Sequence, residues 1–248
     1  MSGHSKWHNI KLRKGKVDAQ RGALFTKLSK EIILAAKSGS PDPEANYRLK
    51  MAVEKARANN MPQENIKRAI ARVTGGAGEK EIQEIRYEGY GPHGVAVVVD
   101  AATDNRNRTA GELRFLFVKH GGAFGETGSV GWIFEPVGVL EVDPEQRSEE
   151  GLTEAALVDG VIDLEYGHPA EIYTDPAQLA AARAALEKAG LQISGAFLGM
   201  RARQKTELNG PALSDALNFL ELLDDHEDVQ RVFSNLDASE AALEALAT

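Results

Sequence analysis

From Ala23 onward, apolar residues recur with the spacing of one helix face: Leu24, Leu28 and Ile32 stand four apart, and Phe25, Ala35 and Ala36 widen the stripe. Ser38-Gly39-Ser40-Pro41 stops it. A second helix is expected after Asp42-Pro43, with Asp as cap and Pro at the first helical position. Its apolar side is Ala45, Leu49, Ala52, Val53 and Ala56, and it fades at Asn59-Asn60. A third opens at Pro62, buries Ile66, Ile70 and Val73, and ends before Gly75-Gly76, whose glycines can take the left-handed conformation that closes helices. Three short helices with narrow apolar stripes predict a small helical domain.

Beyond the Gly75-Gly76-Ala77-Gly78 linker the period becomes strand-like: first Ile82, Ile85 and Tyr87, then the continuous apolar run Val95 to Val99. Thr103-Asp104-Asn105 caps a helix carrying Leu113, Leu116, Phe117 and Val118, which gives way to a glycine-rich loop and a strand at Val130 to Phe134. From Val137 the pattern reads strand, helix, strand, strand, helix, strand through Leu191, the βαββαβ order of a ferredoxin-like unit. Met200–Leu208, Pro211–Leu223 and Val229–Leu236 add a strand, a helix and a strand that need a partner sheet. The expected fold is therefore α+β: an N-terminal three-helix domain followed by two α+β domains, the ferredoxin-like one inserted in the other. The expected boundaries are 1–78 for the basic arm and helices, 79–135 plus 200–248 for a discontinuous domain, and 136–199 for the ferredoxin-like domain.

Charge changes the picture more than composition does. The chain has 248 residues and a net charge of -8, but residues 1–74 hold 16 Lys and Arg against 6 Asp and Glu, a net +10, and the remainder carries -18. Such asymmetry points to a polyanion partner for one end, although basic and acidic domains can also attract each other. The absence of cysteine removes thiol catalysis and Cys-ligated zinc. No apolar run approaches the roughly 20 residues of a membrane span, and the N-terminus lacks an apolar signal-type stretch, so a cytoplasmic protein without membrane contact is expected.

The basic arm Gly3-His4-Ser5-Lys6-Trp7-His8-Asn9-Ile10-Lys11 continues through Arg13, Lys14, Lys16 and Arg21. Its cations can neutralise phosphates while Trp7 stacks on an exposed base; the plainer alternative is a solvated tail with Trp7 folded back on the helices. Lys27 on the first helix and Lys67, Arg68 and Arg72 opposite the apolar stripe of the third extend the candidate nucleic-acid surface. Arg48, Lys50, Lys55 and Arg57 on the second add charge, which also fits ordinary solvation. Arg106 and Arg108 open the helix after Thr103, where backbone N–H groups could receive a phosphate, or where the arginines could simply pair with acids such as Glu112.

Other motifs point away from chemistry. Gly89-Tyr90-Gly91-Pro92-His93-Gly94 spells a dinucleotide fingerprint but is followed by a strand rather than a helix, so it reads as a tight turn. Gly121 to Gly131 lacks a phosphate-binding lysine and reads as a mobile loop able to approach a ligand closely. His4 and His8 have no third ligand nearby in sequence, and Asp100, Asp104, His93 and His120 are scattered acids and histidines at chance frequency. No catalytic residue, cofactor, metal or small-molecule substrate is expected.

Several long motifs carry a resemblance: Met1-Ser2-Gly3-His4-Ser5-Lys6-Trp7, Arg21-Gly22-Ala23-Leu24-Phe25-Thr26-Lys27-Leu28, Asn59-Asn60-Met61-Pro62, Tyr87-Glu88-Gly89-Tyr90-Gly91-Pro92, Thr103-Asp104-Asn105-Arg106-Asn107-Arg108-Thr109 and Gly125-Glu126-Thr127-Gly128-Ser129-Val130. Over nearly its whole length the chain resembles the YebC/PmpR family. The resemblance implies a three-domain protein with a helical first domain and no enzyme activity, found in bacterial cytoplasm and mitochondria. It also implies nucleic-acid binding, either to DNA as a probable transcriptional regulator or to the ribosome and its RNA. The latter role matches a mitochondrial translational activator and bacterial members linked to ribosomes stalled on proline-rich sequences. Neither a helix-turn-helix with base-reading side chains nor a dimer stripe is evident, which favours irregular RNA over a DNA operator. A third reading is a protein–protein adaptor using the acidic run Asp224-Asp225-His226-Glu227-Asp228.

Overall fold

A computed structural model describes residues 20–74, 81–143, 147–167 and 169–247, with the backbone alone at residues 20, 21, 74, 240, 244 and 247. By packing, the described chain divides into two units: residues up to 130 with 218–232, and residues 131–217 with 233–247. The architecture is α+β, a helical region preceding the sheets.

In the first unit, helices α1 (Gln20–Lys37), α2 (Tyr47–Ala58) and α3 (Gln63–Thr74) bury the stripes their spacing predicts. Leu28, Ile32, Leu49, Val53, Met61 and Ile66 share one core with Ile82 and Ala102, and Leu24, Ile70 and Val73 pack at its rim. Helix α2 starts later than the Asp42-Pro43 signal suggests. Its cap is Asn46, whose Oδ1 accepts from the Leu49 amide at 3.1 Å. The Asn46 Nδ2 donates to the carbonyls of Ala35 and Ser40, both at 2.8 Å, so one buried side chain joins the end of α1 to the start of α2. Residues 41–45 form bends and turns, and Ala45 is exposed rather than part of the apolar face. Asn46→Ala removes a cap and strands two carbonyls; a loss of about 2 kcal/mol in denaturant stability is expected. A loss below about 0.5 kcal/mol would show that water replaces the side chain at this junction.

The same unit holds a four-stranded sheet in the order β3-β1-β2-β9, with β1 at Gln83–Tyr90, β2 at Ala96–Thr103, β3 at Ala123–Phe124 and β9 at Val229–Ser234. β1 and β2 pair antiparallel from Gln83↔Thr103 to Tyr90↔Ala96. β2 is an inner strand covered on both faces, which is why Val95–Val99 is apolar without alternation and wholly buried. On one face Ala102 joins the helical core and Glu84 meets Arg48 of α2. On the other face helix α4 (Arg106–Lys119) lies close: the Tyr87 hydroxyl donates to the Arg106 carbonyl, and a Cβ on Gly89 would sit 2.6 Å from the Phe117 ring. The Pro92–Gly94 turn between β1 and β2 is tight, with His93 at φ 59° and Gly94 at φ 78°.

The second unit contains β4 (Phe134–Val142), α5 (Glu149–Ala155), β5 (Val161–Glu165), β6 (Ala170–Thr174), α6 (Leu179–Lys188) and β7 (Ile193–Ala202). Its sheet order is β5-β6-β4-β7, every neighbouring pair antiparallel, which is the split βαβ arrangement of ferredoxin-like folds. Leu140, Val142, Ile172, Leu152, Leu179, Ala182 and Leu186 form the core between the sheet and its two helices. The strand expected at Val130–Phe134 is instead a turn, Gly131–Ile133, leading into β4. β4 therefore begins two residues ahead of the position where the sequence places the ferredoxin-like domain.

Two short strands, β8 (Thr206–Glu207) and β10 (Leu236–Asp237), pair parallel. Helix α7 (Gly210–Asp224) contains the division between the units, and a C-terminal helix α8 (Glu240–Ala247), which the periodicity alone does not reveal, buries Leu243.

Candidate nucleic-acid interface

Helix α3 presents a cationic outer face. Ile66 and Ala69 turn inward, so Lys67, Arg68 and Arg72 emerge exposed on the opposite side. Glu64, one turn earlier, contacts Lys67 at 3.4 Å, an exposed pair worth about 0–1 kcal/mol. Arg68 meets no acid among the described residues.

The cations of α2 are arranged differently. Arg48 pairs with Glu84 at 2.8 Å, Lys50 with Glu44 at 3.4 Å and Lys55 with Glu31 at 2.9 Å. Three of that helix's four cations are thus laced to acids, two of them supplied from other elements, a source invisible when each helix is read separately.

Lys6, Trp7, Lys11, Arg13, Lys14 and Lys16 lie outside the described residues, as do His4 and His8, and Arg21 falls in the first turns of α1, where the backbone alone is described. Lys27, grouped with the phosphate contacts on charge alone, is half-buried and donates its Nζ to the Asp224 carbonyl at the end of α7. Burial lowers its pKa, opposed by Asp224 and Asp225. Arg106 is exposed at the start of α4, and Arg108 beside it binds Asp228 at 2.9 Å and Asp104 at 3.2 Å. Of the predicted cations, the structure groups Lys67, Arg68 and Arg72 on one exposed face, while Lys27 and Arg108 are engaged with the acidic segment 224–228.

Asp228 is the centre of that engagement and is fully buried. It accepts from Lys30 Nζ at 2.5 Å, from Arg108 at 2.9 Å and from the Thr109 hydroxyl at 2.6 Å, while its own carbonyl accepts from the Ala102 amide at 2.7 Å. Burial alone would raise its pKa, but the hydrogen bonds from Lys30, Thr109 and Arg108 outweigh burial and hold the carboxyl well below the ordinary range. A second pair of bonds runs parallel: Glu31 accepts from Arg231 and Lys55, each at 2.9 Å, and despite burial its pKa falls to about 2. In sequence Asp228 is one of four acids in a run, and nothing there distinguishes it from exposed Asp225 and Glu227.

Glu112, His226 and Asp228 come close enough together to be weighed as metal ligands. His226 Nδ1 accepts from the Asp228 amide at 3.1 Å and Nε2 lies 3.1 Å from Glu112, so both ring nitrogens are committed. With Asp228 already holding two cations and a hydroxyl, the cluster is spent on internal bonds. The scattered acids are likewise engaged: Arg86 grips Asp100 at 2.7 and 2.9 Å, and Arg108 holds Asp104.

The glycine-rich loop differs from the expected mobile segment. Glu88, buried on β1, accepts from the Gly128 and Val130 amides at 3.0 and 2.9 Å, and its carbonyl accepts from Gly125 at 2.9 Å. The loop is stapled at three points, and Phe124 at its start rests against Tyr87 and Phe117 with ring centroids 5.7 and 5.6 Å apart. Glycine suits this path because a Cβ on Gly125 would collide with Ser129.

Fold and surface together define an α+β protein with an N-terminal helical region, a basic helical face and two acids, Asp228 and Glu31, neutralised internally. The TACO1/YebC N-terminal domain matches residues 5–76, and the second and third TACO1/YebC domains match residues 82–236. A protein of Herpetosiphon aurantiacus named "Probable transcriptional regulatory protein" is 44% identical over 249 aligned residues, covering 100% of this chain and 99% of that one. One of the same name from Rubrobacter xylanophilus is 46% identical with 100% of both chains covered. The crystal structure of a conserved hypothetical protein from Aquifex aeolicus superposes with a TM-score of 0.85 at 43% identity, covering 91% of this chain and 93% of that one. The chain belongs to the YebC/PmpR family.

Among the described residues no helix is long and apolar enough to cross a membrane.

Proposed function

We propose that this protein is a non-enzymatic, cytoplasmic regulator of gene expression that binds nucleic acid through the outer face of α3 and the basic N-terminal stretch, with ribosomal RNA as the target. The observation that carries this is the exposed trio Lys67, Arg68 and Arg72, standing on a helix whose only outward acid is Glu64. Such a face attracts phosphates without specifying bases. Two of the acids that might screen it from a polyanion, Asp228 and Glu31, are bound internally by Lys30, Arg108 and Arg231.

The preference for RNA rests on the sequence around Trp7, where one aromatic lies within a string of cations, a combination suited to unpaired bases. The name of the relatives from Herpetosiphon aurantiacus and Rubrobacter xylanophilus, probable transcriptional regulatory protein, favours the second reading, a transcription regulator that binds DNA. The adaptor reading loses one of its four acids, because Asp228 is buried rather than on a partner surface, while Asp225 and Glu227 remain exposed.

Competition binding of the intact chain, at one fixed salt, to ribosomes and to promoter-derived duplexes separates the two. Ribosome binding that survives excess random duplex supports the translation role. A particular duplex that resists the competitor assigns the protein to transcription instead, and failure to bind either returns the question to a protein partner.

A further inference from the structure

We infer that the outer face of α4 is a second nucleic-acid surface, one that stacks an unpaired stretch of RNA. The inference deepens the nucleic-acid reading above and rests on it. Helix α4 buries Thr109, Leu113 and Phe117. Opposite them, at i, i+4 and i+7, stand Gly111, Phe115 and Val118, with Phe115 62% and Val118 65% exposed. An aromatic and a valine left in water beside each other on a regular helix form an apolar strip that no apolar side chain among the described residues covers.

The charges flanking the strip identify the occupant. Arg114 lies on one side with its guanidinium 5.3 Å from the Phe124 ring centroid, and Lys119 on the other with its Nζ 5.6 Å from the Phe115 centroid. The nearest acid on the helix, Glu112, is turned toward His226. A ring able to take a base, with Lys119 over it and Arg114 on the far flank of the strip to take the adjoining phosphates, is the arrangement by which sequence-tolerant single-strand binders work. Leu157 and Ile162 are exposed too, but their neighbours in sequence are Glu154, Asp159 and Asp163, the wrong sign for a polyanion.

Gly111 supplies an independent observation. Glycine in a helix interior is about 1 kcal/mol less favourable than alanine. A Cβ placed there would meet nothing within 4 Å among the described residues, so none of them calls for glycine. Close approach of a ligand backbone does call for it.

The test is binding of the intact chain to a labelled oligouridine at fixed salt, read by fluorescence anisotropy. Phe115→Ala is expected to weaken binding about tenfold or more, in line with the loss of one stacked base, and Phe115→Trp to recover most of that loss. Gly111→Ala is expected to raise the melting temperature yet weaken binding, two opposite changes that a purely structural glycine cannot produce. If Phe115→Ala binds like the wild type while Lys67→Ala/Arg68→Ala/Arg72→Ala loses affinity, the α4 surface is refuted and the nucleic-acid reading survives. A wild-type chain that ignores oligouridine overturns the α4 assignment, and the ribosome and duplex competition then decides the nucleic-acid reading by itself. Self-association that Phe115→Ala abolishes, with RNA binding untouched, gives the face to a second copy of the chain and overturns the RNA assignment.

Discussion

Asp228→Ala is expected to destabilise the first unit by about 3–5 kcal/mol, the range for breaking a buried ion pair by removing one partner. Lys30 and Arg108 would lose their common acceptor and the buried Thr109 hydroxyl one of its acceptors. Lys30 belongs to α1 and Arg108 to α4, so the loss should also appear as faster amide exchange at both helices. A denaturant midpoint within experimental error of the wild type would mean that the cluster contributes nothing net.

The pH dependence follows from the same groups. Asp228 and Glu31 both have folded pKa values held below their unfolded ones, Glu31 at about 2. A depressed carboxylate contributes stability that is fully present above its unfolded pKa of about 4 and is lost as pH falls toward the folded value. Wild-type stability should therefore decline between about pH 5 and pH 2, and Asp228→Ala should flatten that decline. An equally steep acid limb in the variant would exclude Asp228 as one of its sources.

The second large effect concerns binding. Replacing Lys67, Arg68 and Arg72 with Ala should reduce the slope of log affinity against log salt by about 2 on single-stranded RNA, at about 0.7 per lost phosphate contact, and by about 0.9 per contact on duplex DNA. The three side chains are exposed and α3 keeps Ile66 and Ala69 in the core, so folding should be unaffected. An unchanged slope would remove α3 from the interface and leave the N-terminal stretch as the principal contact.

Periodicity alone made much of the fold legible. The stripe of α1, the buried run of β2 and the βαββαβ order all follow from where apolar residues recur, because a helix face and a strand face must each be covered. The start of α2 did not follow, since Asp42-Pro43 is a sound local signal that Asn46 overrides through bonds to Ala35 and Ser40. Val130–Phe134 misled for a similar reason: the apolar stretch divides into Val130, whose amide is held by Glu88, and a turn at Gly131–Ile133.

The sequence by itself determined the charge asymmetry, the helical region and the absence of thiol chemistry, all properties of composition and spacing. Only the tertiary structure decided which charges remain for a partner. Arg68 and Lys27 look alike as letters, yet one faces solvent and the other caps α7 from about 200 residues away in the chain. Asp228 likewise passes from a supposed partner surface to a buried hub. Electrostatic pairing is set by distances of a few ångströms in space, and spacing along the chain records those only within one element.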